Sequence, residues 1–141
     1  MKVLKKPLFW VILLCVEALV LVLVLTHNAN EAKRDPKPVV YTYYSPLEPI
    51  NPTVTLNVKG GTFVFEYSVF SSYIAMGKYE LTEDELILRT GDGMYTYVFT
   101  PDGKDYVFDA SRSSELPKYM YSEDAIEAIS PVPDGALFEK G

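Results

Sequence analysis

Catalysis in a protein chain usually starts from a histidine, a cysteine or a paired set of carboxylates, and this sequence places few of them usefully. Its one histidine, His27, and its one cysteine, Cys15, lie at the end of or within an apolar run near the N-terminus. The rest of the chain, from residue 28 onward, has neither, which removes Ser-His triads, cysteine nucleophiles and the common zinc ligand sets. Serine–lysine chemistry needs a Ser-x-x-Lys spacing, and none occurs. Ser71-Ser72 and Ser113-Ser114 therefore read as turn and loop residues. Two carboxylates could still do acid–base work, but Glu83, Asp84 and Glu85 cluster at an expected hairpin tip, where solvation is easy. Asp92 and Asp102 precede glycines and read as turn formers. Neither an EF-type ligand spacing nor a Gly-rich phosphate loop is present. The expectation is a protein that is not an enzyme, with no cofactor and no metal.

Two other sets of residues could do recognition. Tyr67, Tyr79, Tyr97 and Tyr106 share one face of the expected strands, each an apolar ring with a hydroxyl handle. They either line a cavity for a small ligand, as the interior of a small barrel can, or fill a core with their hydroxyls at the rim. Glu17 interrupts the apolar run. It serves a polar contact to a partner helix or a proton-linked role, or it is a protonated or snorkelling passenger.

The elements that must position these residues follow from pattern and turns. Between Val54 and Asp109, six runs of alternating side chains agree on a common face. A two-residue hairpin loop at Gly60-Gly61 places Val58 against Phe63, Leu56 against Phe65 and Val54 against Tyr67. A loop at Glu83-Asp84 pairs Leu81 with Leu86 and Tyr79 with Leu88. One at Asp92-Gly93 pairs Leu88 with Tyr97 and Leu86 with Phe99. One at Asp102-Gly103 pairs Phe99 with Tyr106 and Tyr97 with Phe108, although Pro101 also allows a type I turn with a bulge at Gly103, one residue out of register. The opposite face collects Thr55, Asn57, Glu66, Lys78, Glu80, Arg89 and Thr96 and is wet. The expected fold is all-β: a six-stranded antiparallel meander, curled or partly closed into a barrel around Phe65, Tyr79, Leu88, Tyr97 and Phe99.

Leu8 to Leu25 gives eighteen positions broken only by Glu17. At about 1.5 Å per residue this is roughly 27 Å of helix, close to the hydrocarbon thickness of a bilayer. A central charge costs on the order of 3 kcal/mol on insertion scales, and each Leu, Ile, Val or Phe returns about 0.3–0.6 kcal/mol. Fourteen such residues outweigh the one carboxylate. A cleaved signal peptide would have a shorter core and an A-x-A-like site, but His27 stands two before Ala29 and Asn30 two before Ala32. A lipid anchor through Cys15 would need a small residue where Ile-Leu-Leu stands. The expectation is an uncleaved single-pass helix, with Lys2, Lys5 and Lys6 inside and the carboxyl part outside. Lys33, Arg34 and Lys37 beyond the run make that bias modest.

The expected organisation is thus a stub and anchor at 1–25, a Pro-rich tether at 26–52, and a β-domain with a C-terminal tail at 53–141. Tyr41, Tyr43 and Tyr44 in the tether are expected to dock on the chain's own domain. Asn51-Pro52-Thr53 is no glycosylation acceptor, because proline holds its middle position. Ser122 to Ile129 reads as a short helix with Ser122 as its N-cap, and Ala136-Leu137-Phe138 as a final strand or a plug for one end of the sheet. The net charge of −6 argues against nucleic acid.

The run Gly77-Lys78-Tyr79-Glu80-Leu81, Leu86-Ile87-Leu88, Asp92-Gly93, Tyr95-Thr96-Tyr97-Val98-Phe99 and Asp102-Gly103 resembles the small lipocalin-like β-domains of bacterial exported proteins. With Ser71-Ser72-Tyr73 ahead of it and Pro133-Asp134-Gly135-Ala136 behind, it is similar to the exterior domains attached to antirepressor-type membrane metallopeptidases. The likeness spans roughly Val54 to Glu139 and rests on hairpin cadence. It implies an exterior β-module tied to envelope sensing. The zinc protease part and its His-Glu-x-x-His motif are missing, so neither protease activity nor any functional residue carries over. Together these readings lead to a membrane-anchored, extracytoplasmic binding or sensing module working with a partner membrane protein, its ligand unspecified. The alternatives are a lipocalin-like carrier of a small apolar ligand, a structural envelope protein, and a carboxylate-based hydrolase.

Overall fold

A computed structural model describes residues 5–32 and 36–141. Lys2, Lys33 and Arg34, which bear on the orientation argument, lie outside the described residues. The chain divides into two compact units, with the boundary between Asp35 and Pro36. The described residues of the first unit form one helix, α1 (Lys5–Ala32). Pro7 lies in its first turn, where a missing N–H costs nothing. The helix outruns the apolar stretch and continues through His27 to Ala32. Its Pro7–Asn30 portion is long and apolar enough to cross a membrane.

The second unit is a closed antiparallel barrel of eight strands: β1 (Val39–Thr42), β2 (Thr53–Asn57), β3 (Thr62–Glu66), β4 (Ala75–Leu81), β5 (Leu86–Thr90), β6 (Thr96–Asp102), β7 (Asp105–Asp109) and β8 (Leu137–Lys140). Each strand pairs with the next, and β8 returns to pair with β1. The six strands expected from alternation are β2 to β7. The count of six is corrected to eight by a strand on either side. β1 lies in the Pro-rich stretch read as a tether, and its Tyr41 is buried in the core. β8 grows from the Ala136-Leu137-Phe138 segment and brings Phe138 in with it.

The registers at two hairpins agree with the sequence reading: Leu88 opposes Tyr97, Leu86 opposes Phe99, Tyr79 opposes Leu88 and Leu81 opposes Leu86. The Asp92-Gly93 loop nonetheless differs in conformation. Only Gly93 has positive φ (74°), and Asp92 works instead through its side chain, accepting from the Met94 N–H at 3.0 Å. At the other two hairpins the register moves by two residues. Leu56 opposes Phe63 and Val54 opposes Phe65, because the β2–β3 loop takes four residues (58–61) and only Gly61 adopts positive φ. A type I′ turn on Gly60-Gly61 would need positive φ at both. Phe99 opposes Phe108 and Pro101 opposes Tyr106, with the turn on Gly103-Lys104. Gly103 there holds the first central position with φ 61°, as type II′ hairpins require. A shift of two preserves side-chain parity, so the buried face survives both corrections.

Phe65 occupies the centre of the core. It is fully buried, and its ring lies 5.1 Å from Tyr97, 5.6 Å from Tyr67, 5.8 Å from Phe99, 6.0 Å from Phe138 and 6.4 Å from Phe108. Most of these pairs are edge-to-face, the arrangement ring quadrupoles favour. Leu88, Tyr97 and Phe99 are buried as expected, whereas Tyr79 is half-buried and packs from the side. The residues expected on the wet face are exposed or half-exposed. Val98 on that face is buried instead, beneath a 3₁₀ turn at Ala110–Arg112 and the serines that follow.

The two ends of the barrel differ. Short turns (58–61, 82–85 and 103–104) cluster at one, where the chain enters β1 and leaves β8. The long connections, 43–52, 67–74, 91–95 and 110–136, gather at the other. The expected helix over Ser122–Ile129 does not form. Its Ile126 is fully exposed, so no apolar face docks, and a single short turn cannot persist without packing. The segment is pinned by mutual backbone bonds between Tyr119 and Ile129, at 2.9 and 3.0 Å.

Replacing Phe65 by alanine is expected to cost about 3–5 kcal/mol of stability. Glu80→Ala, which removes only an exposed pair with Arg89, is expected to change it by less than about 0.5 kcal/mol. Urea denaturation followed by near-UV circular dichroism reads both, and similar losses would contradict the interior assignment.

Candidate functional site

The four tyrosines that share a strand face do not form one site. Tyr67 follows β3 and Tyr97 is the second residue of β6, so both sit at the loop end of the barrel, almost fully buried. Tyr79 and Tyr106 lie near the turn end, half-buried, where the Tyr106 ring stands 5.1 Å from Tyr41. The phenylalanines around Phe65 fill the barrel between the two groups. Alternation along a strand sets which face a residue takes. Position along the strand sets which end it reaches, and that separates the four.

At the loop end Tyr67 and Tyr97 form the floor of a cleft of about 330 Å³. Phe70 and Tyr73 from the β3–β4 connection, Tyr95 ahead of β6, and Tyr119 from the long C-terminal connection supply its walls. The rings stand at varied angles: Tyr73 to Tyr95 is 5.4 Å and 64°, Tyr95 to Tyr97 is 6.4 Å and 15°, Phe70 to Tyr119 is 5.7 Å and 44°. Ser71, Ser72, Glu115 and Pro117 complete the lining. Burial pushes the Tyr67 and Tyr97 hydroxyls above the ordinary phenol range.

Local hydrogen bonds hold the walls. Asp92 Oδ1 accepts from Thr90 Oγ1 at 2.6 Å, and Asp92 Oδ2 from Tyr73 Oη at 2.8 Å. These bonds, led by the Thr90 hydroxyl, hold the Asp92 carboxyl below the usual carboxylate range. A second fastening is Glu48, one of the few buried polar residues. Its Oε1 accepts from Ser68 Oγ at 2.8 Å and from Tyr121 Oη at 2.7 Å, tying three loop-end connections together. Burial, and then the bond to Glu48, raise the Tyr121 hydroxyl. On the outer wall, Ser113 Oγ accepts from the Val98 N–H (2.8 Å) and Ser114 Oγ from the Thr96 N–H (2.9 Å), serving β6 at and beyond the end of its pairing with β7. Asp109 caps the adjoining 3₁₀ turn. Bonds from Ser111 and then from Arg112 lower its carboxyl to about 2. The same Arg112 reaches Glu85 at 2.7 Å.

Glu17, the other residue singled out by sequence, lies midway along α1, whose side chains from Pro7 to Asn30 are exposed. Among the described residues no three Asp, Glu, His or Cys side chains converge as a metal site would require. Sequence reasoning missed Phe70, Tyr73, Tyr95 and Tyr119, and also Glu48. Their one available signal was ring density beside turn-forming serines and prolines. A wider recess of about 650 Å³ lies on the outer wall around Gly77, where β4 crosses β5 too closely for a side chain. A Cβ at Gly77 would come 2.1 Å from the Arg89 carbonyl oxygen. Compared with known protein families, curated proteins and solved structures, the chain matches none.

Two outcomes are expected. Glu48→Ala leaves the Tyr121 and Ser68 hydroxyls without their acceptor, at a cost of about 1–3 kcal/mol. It should also make the 117–131 segment the first site of limited proteolysis; unchanged cleavage there would contradict the fastening. Asp109 has a depressed folded pKa, so its contribution is complete above the ordinary value of 3.8 and is lost as pH falls towards about 2. Acid denaturation of Asp109→Asn should therefore lack that part of the pH dependence between 4 and 2, while wild type shows it.

Proposed function

We propose that this chain is a membrane-anchored, non-enzymatic module that binds or senses something on the extracytoplasmic side through the loop end of its barrel, alongside a partner membrane protein. The observation that carries this reading is the filled interior. With Phe65 and its neighbouring rings occupying the barrel, recognition falls to the loop end, where the aromatic cleft opens. That end is opposite the one at which the chain enters β1. The length and composition of Pro7–Asn30 support a single membrane span, and the lysines ahead of it support an outward carboxyl unit. Glu17 in mid-span supports a polar contact with a partner helix. The absence of histidine and cysteine after residue 27 supports a role without hydrolytic chemistry.

The hairpin cadence and the barrel are in keeping with a lipocalin-like exterior domain. A carrier of that kind, however, would need open volume where the phenylalanines sit.

Protease treatment of intact cells is expected to remove the barrel and leave a membrane-bound stub. Crosslinking and pull-down from membranes should recover a membrane partner with wild type and lose it with Glu17→Leu. A full-length chain in the soluble fraction, or a mature amino terminus near Ala29, would overturn the placement. Equal recovery with both chains would overturn the role of Glu17.

A further inference from the structure

We propose that the loop-end cleft binds an organic ammonium group, a cation clothed in alkyl groups; this rests on the binding-module reading above. Three features of the cleft point to that chemistry. First, the walls are aromatic rings at varied angles around a volume of about 330 Å³, enough for a small head group. Alkylammonium ions are attracted to the negative faces of such rings and are poorly hydrated compared with metal cations.

Second, the wall built by Ser71 and Tyr73 has its hydrogen-bonding groups already engaged. Ser71 Oγ lies 3.2 Å from Tyr67 Oη and 2.9 Å from the Tyr73 carbonyl oxygen, and accepts from the Tyr73 N–H at 3.1 Å. Tyr73 Oη donates to Asp92. A polyol recognised through Ser71 or Tyr73 would have to displace these bonds. A cation held by ring faces leaves them intact.

Third, the charge carried by the lining itself is negative. Glu115 is the one charged side chain of the lining among the described residues. It is 82% exposed and meets Lys118 at 3.5 Å, a solvated pair that holds its carboxylate weakly. The Asp92 carboxylate backs the Tyr73 wall, and the whole chain carries −6.

The test is calorimetric titration of the full-length chain in maltoside micelles with choline chloride and with its neutral isostere 3,3-dimethyl-1-butanol. Choline is expected to bind, and the alcohol to bind about tenfold more weakly or less. Glu115→Gln should weaken choline about threefold or more and leave the alcohol unchanged. Tyr119→Leu should weaken choline, with thermal melting checking that it folds; if it does not, the exposed Glu115 position still decides. Equal affinity for the two probes would overturn the cation proposal while leaving a binding cleft in place. Unchanged choline affinity in Glu115→Gln would overturn it too. No heat with either probe up to about 50 mM would overturn it as well, and the module reading would then be judged by crosslinking.

Discussion

The packing of rings around Phe65 is the contact on which the rest of this molecule depends. Eight short strands close around an interior just wide enough for side chains, and five other rings converge on one phenylalanine to fill it. β6 delivers two of those rings, β7 and β8 one each, and the residue after β3 the fifth, so the core and the closure require one another. A filled interior also confines any exchange with other molecules to the two ends. One end is trimmed to tight turns. The other carries almost all the irregular chain, held by side-chain bonds from Glu48, Asp92 and the serines at 113 and 114.

Much of this barrel was legible in the sequence, because side-chain parity survives errors of position. Alternation found β2 to β7 and separated their faces, and a register displaced by two at Gly60-Gly61 or Asp102-Gly103 still sent the same residues inward. What alternation could not find were the closing strands; apolar character alone marked Ala136-Leu137-Phe138 as a final strand or a plug, and nothing marked β1. β1 and β8 are four residues each, too short for a period to stand out, and β1 is embedded among prolines. Their strand character comes from the partners that await them and not from local preference. The opposite error occurred at Ser122. A sound N-cap and an acidic first turn predicted a helix, but with no surface to receive Ile126 the tail took its shape from the Tyr119–Ile129 pairing and from Tyr121 bound to Glu48.

The candidate site was half legible for a related reason. Tyr67 and Tyr97 are strand residues and carry the period that reveals them. Phe70, Tyr73 and Tyr119 belong to connections, where no period exists, and they meet only because 67–74 and 110–136 emerge at the same end. Glu48 was hidden further still. A glutamate between prolines reads as solvated until a serine and a tyrosine from distant loops are seen to close over it.

The ladder that seals the barrel has a mechanical side. β1 and β8 share only two paired positions, Tyr41 with Lys140 and Thr42 with Glu139, extended by the Gly141 N–H bonded to the Val40 carbonyl oxygen at 2.8 Å. β1 keeps four pairs with β2 on its other side. It is also the first strand after the apolar helix, so tension drawn along the chain from that side loads this strand before any other. The seam with fewer bonds gives way first. The barrel would then unroll into an open sheet with β1 and β8 as bare edges, which makes this join the fuse of the fold.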